Sequence, residues 1–133
     1  PQGSNFEIAR RYLEALGARA DAETIAAFFA ADAVQDEFPN ALLPAGAHRD
    51  LQAIRIARSR GLSIMASESY ELLGATGGGS QVALEVGWSG VVGEGLGLFV
   101  PGRRLEARLA VFLKFRDGLI VAQRSYLCPT REK

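Results

Sequence analysis

Between Leu105 and Cys128 the chain spells out a β-hairpin. Leu105, Ala107, Leu109, Val111, Leu113 and Phe115 alternate with Glu106, Arg108, Lys114 and Arg116, the period of a half-buried strand. Asp117-Gly118 follows, and a second strand runs from Leu119 to Leu127. A two-residue Asp-Gly turn fixes the pairing. It sets Phe115 opposite Ile120, Leu113 opposite Ala122, Val111 opposite Arg124 and Leu109 opposite Tyr126. On that register an otherwise apolar face ends in a guanidinium and a phenol. A cation on a core face needs an acid, a ligand or water beside it. The hairpin therefore predicts a polar-floored cavity rather than a dry core.

The rest of the composition narrows the class of protein. A length of 133 residues predicts one domain, 1–133, large enough to bury a full core, with residues 1–4 as an unstructured start. Fifteen acids balance fifteen bases, with no basic stripe and no charged tail, which argues against a nucleic-acid partner. No apolar run approaches the roughly 20 residues of a membrane span, and the first residues lack a signal-peptide pattern. One cysteine, Cys128, excludes an internal disulfide and a cysteine-rich metal site. These features together predict a cytoplasmic protein without a membrane partner. Gly93, Gly95, Gly97 and Gly102 follow no nucleotide-binding spacing, and no pair of residues has metal-ligand spacing, so neither cofactor nor metal is expected.

Helices come first along the chain. Ser4-Asn5-Phe6-Glu7 is a capping box, and Phe6, Ala9, Tyr12, Leu13 and Leu16 recur at helical spacing up to Gly17. Asp21 caps a second helix that carries Ile25, Phe28 and Phe29 inward and ends near Ala31-Asp32. Val34 to Phe38 is a short extended piece closed by Pro39, and Asn40 to Arg49 reads as a loop. Asp50 caps a third helix, ended or kinked at Gly61. Strands follow: Ser67 to Leu73, a glycine-rich turn from Gly74 to Ser80, Gln81 to Val92, a glycine-rich connection from Gly93 to Gly102, then the hairpin. Helices followed by long antiparallel strands predict an α+β fold in which a curved sheet wraps over the helices. Such a sheet leaves a conical interior that can hold a ligand.

At this point the chain resembles the nuclear transport factor 2-like superfamily, in its SnoaL-like and ketosteroid-isomerase-like branch. Three pieces carry the resemblance: Phe28-Phe29-Ala30-Ala31-Asp32-Ala33-Val34, Val82 to Gly90 with its Trp88-Ser89-Gly90 ending, and Phe115 to Tyr126 with Asp117-Gly118, Arg124 and Tyr126. The resemblance implies a cone-shaped α+β barrel, an apolar pocket at its open end, and a homodimer packed through the sheet's outer face. By the hairpin's alternation that outer face carries Phe112, Val121 and Leu127 among Arg108, Lys114, Gln123 and Ser125.

The resemblance also implies roles. The isomerases place an acidic base just after the second helix, which falls on Glu37 here, with Asp36 one step away. Alternation sends these two to opposite sides, so only one faces the pocket, where burial raises a carboxyl's proton affinity. The alternative is two solvated acids at a strand end. Tyr12 on the first helix corresponds to an oxyanion-hole tyrosine, or is a buried phenol with any nearby partner. Arg124 and Tyr126 match the family's R-x-Y, and Arg124 would pair with Glu37 or Asp36 or hold an anionic substrate. Many SnoaL-like enzymes carry a catalytic acid directly after that tyrosine; here Leu127 and Cys128 follow, which removes the polyketide-cyclase base. His48 is a candidate general base or an exposed loop histidine. Trp88, Met65 and Phe28 are expected as pocket lining, and Cys128 as apolar filler. The readings are then a cofactor-independent isomerase or cyclase acting next to a carbonyl of a small apolar or polyketide-like molecule, or a non-catalytic ligand-binding or protein-interaction module on the same scaffold.

Overall fold

The computed structural model of the protein describes residues 4–94 and 100–130. The three helices among these residues each open on a side-chain cap. The Ser4 hydroxyl accepts from the Glu7 amide at the start of α1 (Asn5–Gly17). Asp21 accepts from Thr24 to open α2 (Ala22–Ala26), and Asp50 from Ala53 to open α3 (Leu51–Ile64). Six strands among the described residues form one sheet: β1 (Phe29–Glu37), β2 (Ala47–Arg49), β3 (Met65–Gly78), β4 (Gln81–Val92), β5 (Arg104–Arg116) and β6 (Leu119–Pro129), in the order β2-β1-β6-β5-β4-β3. All neighbours are antiparallel except β1 and β6. The helices pack on one face of the sheet around Ile8, Tyr12, Ile25, Ile54, Val86, Leu113 and Ile120. This is an α+β cone, as the resemblance implies. Among the described residues the sheet does not close into a barrel, because β2 and β3 are its edges.

Several elements differ from the sequence expectation, each for a tertiary reason. The second helix stops at Ala26, and Phe29 to Ala33 belong to β1. There the Phe28 carbonyl accepts from the Ile120 amide, and Phe29 pairs with Ile120, so sheet pairing overrides local helix preference. Residues 47–49, expected as loop, form β2 against Gln35 to Glu37. Gly61 neither ends nor visibly breaks α3, which runs on to Ile64. Strand β3 extends through the glycine-rich stretch to Gly78, so the turn shrinks to its end. Gly77 sits at φ +132°, and a Cβ there would meet the Gln81 carbonyl at 2.4 Å, so this position requires glycine. Gly95 and Gly97 of the expected connection lie outside the described residues.

The hairpin turn forms as expected, with Asp117 and Gly118 both at positive φ and Phe115 opposite Ile120. One step further the register changes. Lys114 pairs with Ala122, Leu113 with Gln123, Phe112 with Arg124, Val111 with Ser125 and Ala110 with Tyr126. The pairing skips Val121, a β-bulge that puts one extra residue into β6. Because side chains alternate, a one-residue slip exchanges the two faces of everything beyond it. Gln123 and Ser125 are buried, whereas Arg124 and Tyr126 are exposed. Outside, the Arg124 guanidinium lies 4.4 Å from the Phe112 ring centroid, and Tyr126 stacks on Phe38 with centroids 4.5 Å apart. The expected inward placement of Arg124 and Tyr126 is therefore corrected. The slip keeps a cation in water and turns two smaller neutral groups inward. The expected outer-face set changes with it: Phe112 stays, Arg124 and Tyr126 join, and Gln123, Ser125 and Leu127 leave.

This register makes a stability prediction. Arg124→Leu removes only a surface cation–π contact and should change the urea unfolding free energy by less than about 1 kcal/mol. Gln123→Leu leaves buried polar partners unsatisfied and should cost about 1–3 kcal/mol. The reverse order of costs would contradict the bulge.

Candidate functional site

The cone encloses a cavity of about 300 Å³, at the small end of ligand pockets. Its walls come from every layer: Tyr12 and Leu16 from α1, Ile54, Ala57 and Arg58 from α3, Leu84, Val86 and Trp88 from β4, Leu109 and Val111 from β5. Most of this lining is apolar. Most of its polar groups gather in two places, next to opposite edges of the sheet; Arg58, which donates to the Ala20 and Leu16 carbonyls, adds a cation from α3.

The first place lies at β1 and β2. Glu37 lines the cavity and accepts a 2.9 Å bond from Arg49 Nη1 at its Oε1. Arg49 is mostly buried and also donates to Gln35 Oε1 at 3.0 Å. Gln35 Nε2 donates at 3.3 Å to Gln123 Oε1, which also accepts from the Tyr12 hydroxyl at 2.9 Å. Gln123 Nε2 in turn donates to Ser125 Oγ. One chain of hydrogen bonds thus runs from Tyr12 through Gln123, Gln35 and Arg49 to Glu37. Glu37 Oε2 has no protein donor among the described residues. Tyr12 is fully enclosed, and burial pushes its phenol far above the ordinary range, with the Glu37 charge adding to the shift. It is therefore a neutral hydrogen-bond donor at any physiological pH.

The second place lies at β3 and β4. Glu68 Oε2 accepts from Trp88 Nε1 at 2.9 Å and from the Tyr70 hydroxyl at 3.0 Å, and its Oε1 accepts from Arg19 at 3.3 Å. Tyr70 and Trp88 are cross-strand partners, which is why both reach the same oxygen. Burial, then the Glu68 charge, raises the Tyr70 phenol as well.

The expected site residues divide accordingly. Glu37, Tyr12, Trp88 and Met65 line the cavity. Asp36 does not; it points outward, where its carboxylate meets His48 Nδ1 at 2.5 Å across the β1–β2 pair. His48 is thus also corrected from the pocket to the exterior, because β2 alternation turns Arg49 inward instead. Phe28 is corrected from lining to support: it sits just before β1 and packs against the Tyr12 ring, centroids 5.5 Å apart. Arg124 and Tyr126 are outside for the register reason given above. Cys128 is exposed rather than buried filler. Sequence reasoning missed Arg49, Gln35, Gln123, Ser125 and Glu68. For Glu68 a signal existed, since it shares a strand face with Tyr70 two residues on. For Gln123 and Ser125 none did, because the bulge leaves no mark in the hydrophobic pattern.

The chain belongs to the SnoaL-like domain family, which it matches over residues 9–123. No curated protein matches it at a significant level. Among solved structures it is similar to IdmH of Streptomyces antibioticus, at 22% identity over 94% of this chain and 92% of that one, with a TM-score of 0.76. A ketosteroid-isomerase-like fold from Catenulispora acidiphila follows at 18% identity, 90% and 84% coverage and a TM-score of 0.73. A SnoaL-like polyketide cyclase from Agrobacterium tumefaciens gives 16% identity, 98% and 94% coverage and a TM-score of 0.70. At these identities the likeness establishes the fold alone. No helix among the described residues is long and apolar enough to cross a membrane, and no group of acids, histidines or cysteines among them is placed to hold a metal.

The buried phenols carry a pH prediction. Tyr12 and Tyr70 hold their protons in the folded chain, whereas in the unfolded chain a phenol ionises near pH 10. Their contribution to stability is complete below about pH 10 and declines as the pH climbs above it. Urea unfolding between about pH 8 and 11 should show that decline, and Tyr12→Phe and Tyr70→Phe should each make it shallower. A wild-type slope in both variants would contradict the burial argument.

Proposed function

We propose that this protein is a cofactor-independent isomerase or cyclase that removes a proton next to the carbonyl of a small, mainly apolar ketone. The observation that carries the reading is the pairing of a carboxylate and a neutral phenol in one apolar cavity. Glu37 Oε2 takes the α-proton, and the C–H electron pair passes into the enolate. Tyr12 moves its single donor from Gln123 to the enolate oxygen and stabilises the charge forming there. Arg49 and Gln35 act as positioning residues: they fix Glu37 and Gln123 without touching the reacting atoms. Return of the proton at another carbon completes an isomerisation; alternatively the carbanion attacks a second carbonyl carbon of the same molecule, its C=O π pair moves onto the oxygen, and that alkoxide takes the proton back from Glu37 to complete a ring closure.

One observation favours the second reading, a binding module. Leu127 lines the cavity on the strand where SnoaL-like cyclases carry their acid. That acid is absent from this strand, so proton abstraction rests on Glu37 alone.

Hydrogen–deuterium exchange at the α-carbon of 2-tetralone, a compact bicyclic ketone, tests both readings without knowledge of the natural substrate. The wild type should accelerate exchange over buffer. Glu37→Gln should lower that acceleration by about a hundredfold or more, and Tyr12→Phe by about ten- to a hundredfold. Asp36→Asn should leave it unchanged. Acceleration that survives Glu37→Gln would refute the assignment of the base, and binding without exchange in the wild type would favour the module.

A further inference from the structure

Glu68 takes no part in the proton transfer proposed above, yet it is the best-enclosed carboxylate on the cavity wall. Its side chain is only 9% exposed, against 34% for Glu37. A carboxylate offers about four acceptor positions. Three are filled, by Trp88 and Tyr70 on Oε2 and by Arg19 on Oε1. The fourth, on Oε1, has no protein donor among the described residues. A buried ion is costly unless its hydrogen bonds are complete, so an open acceptor position on a cavity wall invites a donor from whatever fills the cavity.

The surroundings decide which kind of donor. Arg19 is anchored independently by the carbonyls of Leu62 and Met65, at 2.9 and 2.6 Å. Its charge already balances that of Glu68. An ammonium group would bring an uncompensated cation into a mostly apolar space, whereas a hydroxyl completes the set and stays neutral. Position matters as well. Glu68 stands on β3, and three strands separate β3 from β1, which carries Glu37. The cavity therefore carries two carboxylates on well-separated strands, Glu37 and Glu68, with Arg58 of α3 on its helical wall.

We propose that Glu68 is a specificity-determining residue that accepts a hydrogen bond from a hydroxyl at one end of the substrate, with the carbonyl end held at Glu37 and Tyr12. The substrate class is then a hydroxyketone on an apolar skeleton. The carbonyl end rests on the function proposed above; the hydroxyl contact is a statement about binding and stands or falls by itself.

The test compares 2-tetralone, 6-hydroxy-2-tetralone and 6-methoxy-2-tetralone by calorimetry. Trp88, the chain's single tryptophan, gives a fluorescence readout at the contact itself. The wild type should bind the hydroxyketone at least about tenfold more tightly than either analogue, the scale of a hydrogen bond to an ionised group. Glu68→Gln should shrink that preference to about twofold or less. Glu37→Gln should keep it even though exchange is lost, which separates failure of this proposal from failure of the proton-transfer reading. Equal affinity for the hydroxy and methoxy compounds in the wild type would overturn the proposal without any variant. So would a preference that survives Glu68→Gln, or no detectable binding of the hydroxyketone.

Discussion

The pairing of β5 with β6 skips Val121, and what the last strand presents to the cavity follows from that skip. With even pairing, Ala122, Arg124 and Tyr126 would face the helices. With one residue interpolated, Gln123, Ser125 and Leu127 face them instead. The consequence is electrostatic before it is structural. An arginine on the concave face would need a partner acid, and Glu37 on the neighbouring strand β1 would be drawn to it. Moved outside, Arg124 covers Phe112 in contact with water, and the interior keeps a glutamine that both donates and accepts. A glutamine can link Tyr12, Gln35 and Ser125 at once, so these buried groups are hydrogen-bonded to one another without adding a charge.

The cavity then owes its chemistry to the edges of the sheet. At one edge a three-residue strand turns Arg49 inward against Glu37 while its neighbour His48 turns outward against Asp36. Two acids adjacent in sequence thus face opposite sides of the sheet, Glu37 onto the cavity and Asp36 away from it. At the other edge Glu68 is held by an arginine, a phenol and an indole. Apolar residues of β4 and β5 separate the two ends. A pocket built this way discriminates by the spacing of polar groups on a ligand more than by its bulk, since an unpaired partner at either pole costs more than a missing methylene.

Local chemistry carried much of the fold on the face of the sequence. Ser4, Asp21 and Asp50 announce helix starts, and Asp117-Gly118 announces the hairpin, because each acts through its own nearest backbone. The ends of elements were less legible. Phe28 and Phe29 have helical spacing with Ile25, but the strand pairing of Phe29 with Ile120 outweighs it. The strand β2 has no hydrophobic alternation; it exists because Gln35 to Glu37 offer it an edge. The site divides in the same way. Tyr12, Glu37 and Trp88 follow from periodicity and resemblance, whereas Arg49 and Gln123 depend on a short edge strand and a bulge that only the folded sheet displays.

The bulge itself is open to direct measurement. In a Cys128→Ser background, Gln123→Cys and Arg124→Cys place single thiols on adjacent positions of β6. Reaction with a soluble maleimide should be fast for the thiol at 124 and slower by about a hundredfold or more at 123, where labelling needs local opening of the sheet. Faster labelling at 123 than at 124 would restore the even register, return Arg124 to the cavity and contradict the site described above.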